Sequence, residues 1–249
     1  MSLVPGLVSV TFRQLTPDEI VSLAVEAGLR AVEWGGDVHV PTGDLGAARA
    51  VAARCGGAGI AVEAYGSYHR ADGGFAPVLE TALALGAPRI RVWAGRSGSA
   101  EEDDRAAVVE GLRGAVESAG RAGVEVAVEY HAGTLTDTLA STLRLLEEVP
   151  GLRPYWQPPV GSSLGDALDA VPALAPVAVH VFSWDDAGAR LPLAARAELW
   201  LPVFAELATL PGDRHVLLEF VRDDDPDAFR ADAAVLREWL ATPGWGNDT

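Results

Sequence analysis

Eight times along 249 residues, a short run rich in Val and Ile gives way to a longer stretch in which Leu, Val and Ala recur three and four residues apart. No other feature restricts the fold as strongly. Short apolar runs bounded by turn residues read as strands, and the three-and-four spacing reads as helices. The strand runs are GLVSVTF, AVEWG, IAVEAYG, RIRVWAG, VEVAVEYH, RPYWQP, VAVHVFSW and HVLLEFV. The helical stretches are punctuated: Thr16, Pro17 and Glu19 make a capping box with proline at the first helical position, and Gly28 follows as a stop. Val109, Leu112, Val116 and Ala119 form an apolar stripe at helical spacing, as do Phe229, Ala233, Leu236 and Leu240.

Units of about 30 residues, joined by right-handed crossovers, close a parallel sheet into a (β/α)8 TIM barrel. The expectation is therefore an α/β fold forming a single domain over 1–249, with a flexible tail at about 241–249. The rival is an open doubly wound sheet, which usually opens with a glycine-rich turn, and the sequence has no GxGxxG.

Composition narrows the chemistry. The 35 Asp and Glu against 19 basic residues give a formal charge of -16, a field that repels nucleic acid and anionic membranes, so neither is an expected partner. Every basic residue is Arg; the absence of Lys excludes Schiff-base chemistry and covalent pyridoxal phosphate, and no nucleotide cofactor is expected. Cys55 stands alone, which rules out an intrachain disulfide and a thiolate-rich metal site. A cytoplasmic protein is expected, since no basic leader with an apolar segment is seen and no run approaches the roughly 20 apolar residues of a membrane span. The oligomeric state is left open, a homo-oligomer included.

In a TIM barrel the active site lies at the carboxyl ends of the strands, so polar residues late in an apolar strand are the informative ones. The last four strands supply Glu129 in AVEYH, Gln157 in YWQP, His180 in AVHVF and Glu219 in LLEF. Alternation puts them on the faces of Ala127, Tyr155, Ala178 and Leu217, so all four can point inward. Two ionised carboxylates in a water-poor mouth repel each other and lose solvation. A divalent cation removes that difficulty: Glu, amide oxygen, imidazole and Glu suit Mn²⁺, Mg²⁺, Co²⁺ or Zn²⁺, with positions left for substrate oxygens.

With VEW, AVEYH, AVHVFSWD and LLEF, the sequence resembles the xylose isomerase-like barrel superfamily over nearly its whole length, specifically the sugar isomerase and epimerase branch. The resemblance implies a Glu, Asp, His, Glu set around one metal, carried here by Glu129, Gln157, His180 and Glu219. Gln157 departs from the usual Asp, which lowers the ligand charge and should weaken binding. The resemblance also implies proton abstraction beside the carbonyl of a keto sugar, through an enediolate, with Glu129 and Glu219 as base and acid. A keto-inositol dehydratase and a sugar-binding barrel without catalysis are the alternatives.

His131, His69, His39, Trp93 and Arg91 are candidates for substrate contact, the histidines because they lie in segments that follow strands two, three and five. Trp34, Trp156 and Trp184 also fall near strand ends. Glu33 and Glu63 are expected to pair with Arg91 inside the barrel. The run EEDDR, Glu101 to Arg105, reads as a solvated first helical turn. The acidic segments SWDDAGAR and VRDDD favour an unphosphorylated sugar. GSSLG satisfies GxSxG with Ser163, and Asp185 and His215 follow in hydrolase order. That reading is set aside, because two prolines precede the turn where a strand is needed and His215 opens its strand, the wrong end of a barrel.

Overall fold

The apolar runs become parallel strands that close on themselves. In chain order they are β1 (Leu3–Val8), β2 (Ala31–Gly35), β3 (Ala61–Gly66), β4 (Arg89–Val92), β5 (Glu125–Glu129), β6 (Arg153–Trp156), β7 (Ala178–Val181) and, after a small hairpin, β10 (Arg214–Leu218). Neighbours pair in sequence order, and β10 closes the ring between β7 and β1. Among the described residues eight α-helices alternate with the strands: α1 (Pro17–Glu26), α2 (Leu45–Ala58), α3 (Phe75–Leu85), α4 (Arg105–Arg121), α5 (Leu139–Glu148), α6 (Leu164–Leu174), α7 (Ala197–Thr209) and α8 (Pro226–Leu240). The expected single TIM barrel is thus what the computed structural model shows, and it describes residues 2–101 and 105–241.

The helices start where local chemistry dictates. Thr16 accepts from the Glu19 backbone N–H while the Glu19 carboxylate receives that of Thr16, so two orphan donors are satisfied reciprocally ahead of Pro17. Their apolar stripes bury against the outside of the sheet, where Phe229 and Leu236 of α8 and Leu112 of α4 are fully covered. Each such side chain contributes about 1.5–3 kcal/mol. Inside the barrel the packing differs: Ala64, Ala127 and Ala178 are small, Tyr155 and Leu217 fill the middle, and polar side chains occupy the carboxyl mouth. Gly66 is part of this arrangement, since a Cβ there would run into Glu33 Oε1 and Arg91 Nη2.

The strand-one run is shorter than expected, because Ser9–Phe12 turns into a 3-10 segment buried on all four residues. A short antiparallel hairpin, β8 (Ser183–Trp184) with β9 (Arg190–Leu191), extends the end of β7 and was not expected. Of the EEDDR run, residues 102–104 lie outside the described residues; Arg105 is buried at the start of α4, 2.9 Å from Glu148, rather than solvated. The expected tail lies, from residue 242 on, outside the described residues as well.

Candidate active site

The four strand-end residues converge. His180 Nδ1 faces Gln157 Oε1 at 3.4 Å, Glu219 Oε2 at 3.5 Å and Glu129 Oε1 at 3.8 Å. Gln157 Nε2 donates to Glu129 Oε1 at 3.1 Å, so the amide ties the β5 carboxylate to the β7 imidazole. Two further groups lock this quartet from below. Arg91 donates from Nε to Glu33 Oε1 at 2.6 Å and from Nη1 to Glu129 Oε2, leaving Glu129 Oε1 turned inward. Glu33 Oε2 lies 2.9 Å from His180 Nε2, which fixes the plane of the imidazole.

The charges follow from burial and these partners. Burial opposes the ionisation of Glu33, but Arg91 and His180 outweigh it and hold the carboxyl at about 2. Burial likewise opposes the charge of His180, and the Glu219 and Glu33 carboxylates override it, pushing the imidazole up to about 9. Arg91 is raised in the same way, burial being outweighed by Glu129 and Glu33. Glu219 goes up, to about 7: burial dominates, His180 only partly compensates, and Glu129 adds repulsion. Among the described residues Glu219 Oε2 is buried without a hydrogen-bond partner.

Donor atoms around a cation held at about 2.0–2.2 Å lie about 3–3.6 Å from one another. The spacings from His180 Nδ1 fall near that range, and the unpartnered Glu219 oxygen and the Glu33-oriented imidazole suit a divalent ion. Among the described residues no three His, Cys, Asp or Glu side chains form a metal-holding group by themselves.

A cavity of about 450 Å³ opens onto this floor, with Arg91, Glu129, Gln157 and Glu219 among its lining. His131 and Trp93 line it too, stacked on each other at 4.4 Å, and His131 Nδ1 lies 2.6 Å from the Ala132 carbonyl. Arg70 covers the Trp93 ring at 3.9 Å, so much of that ring is already occupied by protein. Trp184, from the hairpin, and Arg13 also line it.

Other expected contacts fall elsewhere. His39 is buried among Ser9 Oγ, Phe12 O and Leu15 O, a structural role that loop position could not reveal, and burial pushes its pKa down. His69 packs on Phe75 at 5.3 Å and does not line the cavity. Trp34 and Trp156 are buried outside the cavity, Trp34 beside His39 and Trp156 against Trp200. Glu63 pairs with Arg89 at 2.6 Å and Tyr155 at 2.7 Å, one layer deeper, and not with Arg91. Ser163 is the N-cap of α6, with Asp166 completing a capping box, so GSSLG is helix punctuation. Glu33 was expected only as the Arg91 partner; its hold on His180 was missed, although its inward position on β2 was the available signal.

Fold and site together define a TIM barrel with a titratable cluster at its carboxyl mouth. The chain belongs to the Xylose isomerase-like TIM barrel family, whose model matches residues 21–239. Among solved structures it is similar to a probable 3-DHS dehydratase, AsbF, involved in petrobactin synthesis, from Bacillus anthracis, at 20% identity, 95% of this chain, 99% of that chain and a TM-score of 0.78. It is also similar to a xylose isomerase domain protein from Alicyclobacillus acidocaldarius, at 19% identity, 96% and 99% coverage and a TM-score of 0.73. A third is a xylose isomerase-like TIM barrel protein from Mycobacterium smegmatis in complex with magnesium, at 12% identity, 96% coverage of both chains and a TM-score of 0.67. These likenesses speak for the fold. Curated proteins yield no match.

Proposed function

We propose that this barrel is an isomerase or epimerase that moves a proton at the carbon beside a keto-sugar carbonyl. One observation supports the reading above others: Glu129 and Glu219 both line an open cavity, and their inward oxygens face the one buried imidazole of His180 behind it, at 3.8 and 3.5 Å. A divalent ion held by Glu129, Gln157, His180 and Glu219 would supply Lewis-acid stabilisation of charge on the substrate oxygens. The chain's own residues do the rest. One of the two carboxylates takes the proton from carbon; the C–H pair becomes a carbon–carbon double bond and the carbonyl π pair moves onto oxygen, giving the enediolate. Return of a proton to the opposite face epimerises that carbon; return to the adjacent carbon isomerises the sugar. Arg91, fixed by Glu33, orients Glu129.

The sugar in this proposal is unphosphorylated. Barrels that bind phosphate commonly use a helix N-terminus near the last strands. Here the first N–H groups of α8 are taken by the chain's own carboxylate, Asp225, which accepts from Asp227 N at 3.1 Å and Ala228 N at 3.3 Å.

The test is solvent exchange. The purified protein, analysed for metal, is incubated with a panel of keto sugars in heavy water, and deuterium beside the carbonyl is read by nuclear magnetic resonance. Exchange without loss of water, abolished by Glu129→Gln, is expected. Formation of an ultraviolet-absorbing enone would point instead to a dehydratase, and undiminished exchange in Glu129→Gln would remove its assigned role.

A further inference from the structure

Beside the active-site cavity lies a second one of about 400 Å³, and the two share Tyr130, Pro159 and Val160 as a common wall. The second cavity is bounded by the starts of α5 and α6 and by the segment joining β6 to α6. Three of its lining residues carry buried polar atoms without a hydrogen-bond partner among the described residues: Trp156 Nε1, Asp137 Oδ1 and Ser162 Oγ. Trp156 is 1% exposed, and its N–H is donor only, so an acceptor must meet it. Asp137 already receives the Ser99 N–H on Oδ2 at 3.0 Å, which leaves Oδ1 as an unmet acceptor. Native proteins leave few such groups unsatisfied, and a cluster of them on one cavity asks for a ligand that both donates and accepts.

From this we infer that the neighbouring cavity is a second sugar subsite, and that the substrate has two rings: a keto sugar over Glu129 and Glu219, joined to a second polyhydroxylated ring over Trp156. The inference rests on the proposed function for the first ring and adds the class of the whole substrate. The alternatives match the lining less well. A phosphate would meet Asp137, Asp166 and Asp169 with no arginine among the lining residues. A simple ammonium ion would suit Asp137 and offer nothing to the indole N–H, and a hydrocarbon would satisfy neither. A hydroxylated ring gives hydroxyls to Asp137, Trp156 and Ser162 and its C–H faces to Leu139, Ala167 and Ala170.

Isothermal titration of the 249-residue chain with fructose and with the keto disaccharides maltulose, lactulose and palatinose tests the idea. At least one disaccharide should bind tenfold or more tightly than fructose. Ala170→Leu, which fills the second cavity, should bring that ratio to about one, with the fold checked by circular dichroism; Trp156→Phe, which removes the N–H, serves should the first variant not fold. Disaccharides that bind no better than fructose overturn the inference, as does a preference that survives both substitutions. Exchange into single-ring keto sugars without any disaccharide preference sinks this inference alone, whereas a disaccharide preference without exchange into any keto sugar sinks only the proposed function.

Discussion

Replacing Glu33 by Gln isolates the group on which the electrostatics of the mouth turn. Glu33 is fully buried and touches both cations of the site, Arg91 Nε at 2.6 Å and His180 Nε2 at 2.9 Å. Its carboxyl is held at about 2 instead of its ordinary 4.5, a displacement equivalent to about 3 kcal/mol of folding stability. The direct route agrees, since removing one partner of a buried ion pair costs about 3–5 kcal/mol. A carboxyl whose pKa falls on folding stabilises the native state above its unfolded value, here 4.5, and loses that contribution as pH drops through the folded value. Urea unfolding of both proteins should therefore show a gap of about 3 kcal/mol at pH 7, narrowing to about 1 kcal/mol at pH 3. A gap below 1 kcal/mol at pH 7, or one as wide at pH 3 as at pH 7, refutes the reasoning.

Glu63 should behave with the opposite sign. Burial, only partly offset by Arg89 and reinforced by Glu33, raises it to about 7, so its contribution is complete below 4.5 and fades as pH climbs through 7; Glu63→Gln should match the native protein at pH 4.5 and exceed it by about 3 kcal/mol at pH 8.5 in denaturant unfolding. Manganese at about 100 times its Kd should add about 3 kcal/mol to unfolding, and His180→Ala should abolish the effect. Because His180 is held protonated up to about 9, calorimetric affinity for the ion should climb with pH up to that point, and a pH-independent affinity would contradict the role of its Nδ1. Ser163→Ala should cost about 1 kcal/mol of stability as the loss of a helix cap, with deuterium exchange into keto sugars unchanged.

Strand parity made much of the site legible in the sequence. Glu129 ends β5, Gln157 and Glu219 lie just beyond β6 and β10, and His180 is the penultimate residue of β7; all four are on the inward face, and two-residue alternation is enough to place them there. Parity says nothing of depth. Arg89 and Arg91 share a face, yet the register shift at Val32/Glu33 sets Glu33 level with Ala64, one residue above Glu63. Glu33 therefore meets Arg91 while Glu63 meets the deeper Arg89. His39 and His69 lie beyond the last strand residue, where loop conformation decides and no period applies. The hairpin escaped because its strands have two residues each, too few to show alternation.

That hairpin pairs only with itself among the described residues, Ser183 with Leu191 and Trp184 with Arg190, and contributes nothing to the hydrogen bonding that closes the ring. Trp184 nevertheless forms part of the cavity rim. Rim and scaffold are thus held by separate backbone ladders: lengthening the turn between Trp184 and Arg190 would reshape the edge of the cavity without touching a strand pair of the ring.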